Sequence, residues 1–144
     1  MPESILVINA GSSSIKFQLF EVLRNDDLQR RLRGQIEGLG ATPRLVANLG
    51  DGTLFDESWP AGEVRDVAGA LEKLTEFLRP RLEGRLPSVV GHRVVHGGPD
   101  YGEPTILNRT VLDRLERLVP LAPLHQPNNL APIRAIMELS LIHI

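Results

Sequence analysis

The stretch ILVINAGSSSIKFQLFEV, residues 5–22, constrains the fold more than any other. ILVI (5–8) is a continuous apolar run, the pattern of a strand covered on both faces. IKFQLFEV (15–22) reads as a second strand. Ile15, Phe17 and Leu19 share one of its faces, and Lys16, Gln18 and Phe20 share the other. NAGSSS between the two runs is then the connection of a β-hairpin. A tight hairpin turn needs only about two permissive residues. This one carries an amide, a glycine, three hydroxyls and a cation between Asn9 and Lys16.

The pattern continues in strands and then changes. RNDDL (24–28) is a polar turn and QRRLRGQIEGL (29–39) a third strand. LVANL (45–49) and TLFDES (53–58) flank GDG, a strong hairpin signal. Val67, Leu71, Leu74 and Leu78 then recur on one stripe of a helix, placed at about 62–79 with Pro80 near its end. LPSVVGHRVVHGG (86–98) reads as a buried strand running into a glycine turn, and DYGEPTILNRT as loop. Thr110 is a candidate cap for a short helix, with Asp113 three residues on. PLAPLHQPNN (120–129) is too rich in proline for regular structure. LAPIRAIMEL (130–139) reads as helical, with Pro132 tolerated only in the first turn. The order is strands, helix, strand, helices, with no internal repeat.

Composition narrows the function. The chain has 144 residues, with 16 Lys+Arg against 18 Asp+Glu, so no charge excess points to nucleic acid or an anionic membrane. The length suits one domain or one lobe of a larger protein. Apolar residues make up 42% and aromatics 4%, so the core rests on Leu, Val, Ile and Ala. The absence of cysteine excludes disulfides, thiolate metal sites and a cysteine nucleophile. MPESILVINAGSS has neither the basic region nor the long apolar core of a signal peptide, and no run approaches the roughly 18 apolar residues of a membrane span. The expectation is a soluble, cytoplasmic protein with no nucleic-acid or membrane partner. The apolar, uncapped end SLIHI (140–144) reads as cut off.

Three stretches could carry chemistry. In NAGSSSIK, small residues let backbone N–H groups approach an anion, and serine hydroxyls add donors. Lys16 supplies a point charge for phosphate. The Asn9 amide oxygen is a hard ligand suited to Mg²⁺, directly or through water. The stretch is no P-loop, since GxxxxGK[ST] is absent and a strand follows. An ordinary serine-rich turn has the same composition, and local sequence does not separate the two. In GHRVVHGG (91–98), two histidines and an arginine interrupt a valine-rich strand. Alternation puts His92, Val94 and His96 on one face and Arg93 and Val95 on the other. Arg93 beside Val95 suits a small carboxylate with a short apolar tail. The competing readings are a structural ion pair for Arg93 and satisfied core histidines for His92 and His96. A zinc pair from those histidines is disfavoured by their spacing on a strand and by the lack of a third ligand. In PLAPLHQPNN, His125 is held among prolines and could hydrogen-bond a bound anion; a loop histidine with no task weighs equally. RRLR (30–33) alternates without interleaved aromatics, the pattern of a solvated strand face.

Taken together and in order, VINAGSSSIKF, GHRVVHGG and LAPLHQPNN closely resemble the N-terminal part of the acetate kinase family, which includes propionate and butyrate kinases. The resemblance covers residues 4 to about 139. It implies an α/β fold: the N-terminal lobe of a ribonuclease-H-like pair, in the superfamily of actin, sugar kinases and Hsc70 ATPases, with a mixed sheet and flanking helices. Residues 1–139 would be part of that lobe and 140–144 a truncated or foreign tail. The implied activity is reversible phosphoryl transfer from ATP to acetate, giving acetyl phosphate and ADP. The implied metal is Mg²⁺, with Mn²⁺ as an alternative, and the implied assembly of the complete protein is a homodimer. Position by position, Asn9 matches the family's asparagine near Mg²⁺. Ser12, Ser14 and Lys16 match the phosphate-hairpin residues. Arg93 matches the substrate arginine, Val95 and Leu124 the pocket for the acyl methyl, and His125 a histidine beside the transferring phosphoryl, the catalytic candidate. The family's main catalytic aspartate belongs to a strand that follows the region ending here at about Glu138. The chain alone is therefore expected to be inactive. A propionate or butyrate kinase, and a phosphate- or nucleotide-binding module without catalysis, are the alternatives.

Overall fold

The computed structural model describes residues 3–11, 13–84, 87–93, 109–121 and 126–142. Six strands run in the order β1 (Ser4–Ala10), β2 (Ile15–Val22), β3 (Leu28–Glu37), β4 (Arg44–Asn48), β5 (Leu54–Ser58) and β6 (Val89–His92). Helix α1 (Val67–Leu78) and a 3₁₀ turn (Arg79–Leu82) separate β5 from β6; α2 (Arg109–Glu116) and α3 (Gln126–Ile142) follow. The strands form one sheet in the order β5-β4-β3-β2-β1-β6. Each of β1 to β5 is antiparallel to the next, whereas β6 lies parallel to β1, as a crossover through a helix requires.

The alternation in β2 survives intact. Ile15, Phe17 and Leu19 are buried; Lys16 and Gln18 turn to the other face. In β1, Leu6, Ile8 and Ala10 are buried, but Ile5, Val7 and Asn9 are only half-buried. The continuous run ILVI therefore does not report cover on both faces. One face meets the core and the other stays partly open. Leu71, Leu74 and Leu78 of α1 seal the core face as the stripe predicts. Phe77 adds edge contacts to Phe17 and Phe55, with ring centroids 6.2 and 4.8 Å away. Gly34 faces Phe17 across β2 and β3. A Cβ there would lie 2.5 Å from the Val46 carbonyl oxygen and 2.8 Å from Phe17 Cζ, so only glycine leaves room for that ring. RRLR is the solvated face expected of it: Leu32 is buried, Arg30 and Arg33 are exposed, and Arg31 pairs with Glu21 beside an irregularity in the β2–β3 register.

Four further sequence expectations need correcting. Helix α1 begins at Val67, not 62, because Asp66 caps it by accepting from the Gly69 amide at 2.9 Å. Strand β6 is four residues long where described, and Val89 is 54% exposed, so it is not a deeply buried strand. Helix α2 starts at Arg109, which puts Thr110 inside its first turn and removes the capping role. Helix α3 starts at Gln126, so QPNN is helical. Pro127 fits a first turn, where its missing N–H costs nothing, whereas Pro132 lies inside the helix and is fully buried. The same helix continues through Ser140 to Ile142.

Candidate active site at the open ends of β1 and β6

Three chain segments meet where β1 ends. Asn9, the penultimate residue of β1, lies opposite Lys16, the second residue of β2. Directly opposed side chains in such a pair have Cβ atoms about 5 Å apart. On the other side of β1, the register pairs Ile8 with His92, and the Arg93 amide donates to the Ile8 carbonyl at 3.2 Å. Arg93 therefore follows directly beside Asn9. The carboxyl ends of parallel strands β1 and β6 form the rim of this site, the place where open α/β sheets take ligands.

The connection between β1 and β2 is tight. The Gly11 amide donates to the Ser14 carbonyl at 2.8 Å, and the Leu39 amide donates to the Ser13 carbonyl at 3.1 Å. Lys16 and Arg93 are exposed, and Asn9 and Ser14 half-buried. Among the described residues, the Asn9, Ser14, Lys16 and Arg93 side chains have no hydrogen-bond or ion-pair partner. The structural ion pair considered for Arg93 is thus not found among those residues. From the hairpin, the open face of the sheet continues as a groove of about 520 Å³. It is lined by Asn9, Lys16 and Gln18 on β1 and β2, and by Arg33, Gln35 and Asn48 beyond them. Two cations and four amides without a carboxylate favour an anionic occupant.

His92 turns to the core face with its register partner Ile8. Its Nδ1 is buried without a hydrogen-bond partner among the described residues, and burial pushes its pKa down to about 4. The reading of His92 as a satisfied core histidine is corrected to a neutral one whose Nδ1 has no partner among the described residues. Among the described residues no group of three His, Asp or Glu side chains could hold a metal. Asn9 and Ser14 offer one amide oxygen and one hydroxyl. Such a pair fits Mg²⁺ held mainly by water and phosphate oxygens, not a dedicated protein cage. Ser12, Val95, His96, Leu124 and His125 lie outside the described residues.

Two polar residues in this region carry no signal of their own in the sequence. Gln126 is fully buried and donates from Nε2 to the Leu115 carbonyl at 3.1 Å, tying α3 to α2. Asn129, 6% exposed, donates from Nδ2 to the Ala10 carbonyl at 3.1 Å, tying α3 to the end of β1. Both stand in the run that proline content marks as irregular. Only the helical spacing of Gln126 and Asn129, three apart, could have flagged them.

The profile of the Acetokinase family matches residues 4–143. The chain belongs to the acetokinase family. It is 51% identical over 139 residues to an acetate kinase of Rhizobium meliloti, an alignment covering 96% of this chain and 35% of that protein. It is 50% identical over 136 residues to an acetate kinase of Nitrobacter hamburgensis, covering 94% and 33%. The fold superposes on the crystal structure of Porphyromonas gingivalis acetate kinase with a TM-score of 0.80 at 30% identity, covering 95% of this chain and 34% of that one. A propionate kinase from Francisella tularensis matches with a TM-score of 0.79 at 28% identity, covering 95% and 34%. The chain thus spans about a third of the length of the relatives it matches, with the actin- and Hsc70-like α/β fold that the acetokinase resemblance implies. No helix among the described residues is long and apolar enough to cross a membrane.

Proposed function

We propose that this chain is the N-terminal part of a cytoplasmic, homodimeric acetate kinase, which transfers the γ-phosphoryl group of ATP to acetate and runs in reverse from acetyl phosphate and ADP. The observation that carries the reading is the meeting of Asn9, Ser14, Lys16 and Arg93 at one end of the sheet, all without internal partners among the described residues. Acetate is already a carboxylate at neutral pH. One of its oxygens forms the new bond to phosphorus while the bond from phosphorus to the β,γ-bridging oxygen breaks, and ADP leaves with that oxygen. No proton has to be removed from the nucleophile. The work left to the protein is to bring two anions together and stabilise the charge on the equatorial oxygens.

Arg93 takes the acetate carboxylate through its guanidinium, and Val95 with Leu124 receives the methyl. Lys16, with Ser12 and Ser14, holds the ATP phosphates. His125 contacts the phosphoryl group in transfer. Asn9 reaches Mg²⁺ directly or through water, with Mn²⁺ able to replace it; the ion, when bound, neutralises phosphate charge. The aspartate and the second lobe expected of the family fall in the part of the relatives' length that this chain does not match, so the 144 residues by themselves are expected to form no acyl phosphate.

The relatives named acetate kinase favour acetate as substrate. Propionate differs by one methylene, which a pocket discriminates by only about 1–3 kcal/mol. The test is a chimera in which residues 1–139 replace the matched segment of the Rhizobium meliloti enzyme. Acyl phosphate is trapped as the hydroxamate with acetate and propionate in turn. The reading predicts turnover, with Arg93→Ala raising KM for the carboxylate at least about tenfold and leaving KM for ATP near its starting value. A chimera that folds like the parent but binds Mg-ATP without turnover supports a binding module instead. An unchanged KM in Arg93→Ala removes Arg93 from the substrate site.

A further inference from the structure

Ala10 ends β1 and begins the turn toward Ser14. In a strand, every second residue points its carbonyl to the same edge. The carbonyls of Ser4, Ile8 and Ala10 therefore leave β1 together, on the β6 side. That of Ser4 accepts from the Ser88 amide at 2.9 Å and that of Ile8 from the Arg93 amide at 3.2 Å. The Ala10 carbonyl accepts from the side chain of Asn129, 119 positions away and in the first turn of α3. Both partners are buried, at 3% and 6% exposure, so loss of this bond leaves a carbonyl without water to replace the donor.

The carbonyl matters because of where it sits. It belongs to the residue between Asn9 and Gly11, at the root of the hairpin. A carbonyl that rotates toward an anion repels it, whereas one drawn to the opposite side leaves N–H groups and side chains facing the ligand. The other two carbonyls of the turn that have donors are fixed in the same manner, Ser13 by Leu39 and Ser14 by Gly11. Asn129 is the only side chain among these donors. It is also the one that comes from a different layer of the fold.

We propose that Asn129 is a positioning residue for the β1–β2 hairpin: its carboxamide holds the Ala10 carbonyl toward α3 and so sets where Asn9, Ser14 and Lys16 stand. That these side chains face phosphate rests on the reading above; the clamp does not. It predicts that a substitution in α3 loosens the hairpin while the rest of the sheet keeps its order.

The experiment is amide hydrogen exchange by NMR on the 144-residue chain. In the unaltered chain, the Asn129 carboxamide protons exchange at least about tenfold more slowly than those of a free asparagine side chain. Unprotected Asn129 protons overturn the proposal without any variant. In Asn129→Ala and Asn129→Asp, the Gly11 and Leu39 amides, which report on the hairpin, exchange at least about tenfold faster. The Leu49 and Trp59 amides, bonded to Thr53 and Pro43 at the far side of the sheet, keep their rates. Asn129→Gln, which retains the donor, restores part of the protection. An equal rise at all four amides marks a structural residue only, and no rise at Gly11 and Leu39 removes the clamp. In the chimera, Asn129→Asp raises KM for ATP several-fold with KM for acetate unchanged; equal changes in both overturn the positioning role. Inactivity of the unaltered chimera counts against phosphoryl transfer and leaves the exchange result standing.

Discussion

The β1–β2 and β4–β5 hairpins are the same element with opposite uses of their polar groups. In the β4–β5 turn, the polar side chains of Asn48 and Asp51 are bonded to the turn's own amides. The Asn48 amide oxygen accepts from the Gly50 amide at 3.0 Å, the Asp51 carboxylate from the Thr53 amide at 2.8 Å, and the Leu49 amide closes the turn on the Thr53 carbonyl at 2.9 Å. Bonding to Thr53 holds the Asp51 carboxyl below its ordinary range. Gly50 and Gly52 take φ of +87° and +88°, conformations that favour glycine. In the β1–β2 turn, the fixed atoms are carbonyls: Ala10, Ser13 and Ser14 all accept. The side chains of Asn9, Ser14 and Lys16 are left without partners among the described residues. A turn that satisfies its own side chains is finished by folding. A turn held through its carbonyls keeps its side chains for something else.

The strongest way to break this comparison is to remove one side chain from each turn. Lys16→Ala in the chimera should cost about 30- to 160-fold in kcat/KM for ATP, the scale of a lost charge-assisted contact of about 2–3 kcal/mol. Its melting temperature should stay near that of the unaltered protein, because Lys16 is exposed and unpaired among the described residues. Asp51→Ala should do the reverse, lowering the melting temperature slightly and leaving kcat/KM alone. Steady-state kinetics and thermal unfolding on the same two variants decide it. Matching effects at both positions would erase the distinction between the turns.

Much of this contrast was legible in the sequence. Alternation in IKFQLFEV placed Lys16 and Gln18 on the face away from Ile15 and Phe17, and GDG marked the second turn. The stripe from Val67 to Leu78 located α1, although the Asp66 cap starts it at Val67 rather than at residue 62. What stayed hidden depends on contacts between distant segments. QPNN reads as loop because one proline and three amides disfavour a helix interior. They suit a first turn whose amides bond to other elements, Gln126 to Leu115 and Asn129 to Ala10. Gly34 reads as a weak point in β3, yet it is the space into which the Phe17 ring fits. His92 reads as one of a pair with His96, and only the register with Ile8 shows that it faces the core. No local pattern encodes a partner that is 119 residues away.

A second comparison sharpens the first by pH. His92 adjoins the site end of the sheet and has a pKa near 4, set by burial, against an ordinary value of 6.5. The unfolded chain therefore takes up a proton between pH 6.5 and 4 that the folded chain refuses. Stability is fully present above pH 6.5 and falls as pH drops toward 4, with a slope of up to about 1.4 kcal/mol per unit. Unfolding midpoints between pH 7 and 4.5 should fall more steeply for the unaltered chain than for His92→Leu. Parallel curves would assign the acid sensitivity to carboxylates elsewhere. Because the Asp51 carboxyl is held below its ordinary range, its loss falls mainly below about pH 4, and the β4–β5 turn should contribute little in this interval.

The smallest expected effect isolates backbone from chemistry. Gly52 has a φ of +88° and open space around the position of a Cβ, with nothing within 4 Å. Gly52→Ala therefore meets no clash and carries only the cost of a left-handed backbone, about 1 kcal/mol. In a chain of this size that is a fall of about 3 °C in melting temperature. Gly50 has a similar φ, but its Cβ would lie 2.6 Å from the Arg31 carbonyl oxygen, so Gly50→Ala should cost more. Neither substitution should change KM for ATP in the chimera. If Gly52→Ala altered KM, the two turns would be coupled through the sheet, and the backbone of the β4–β5 turn would help to set the groove that Asn48 lines.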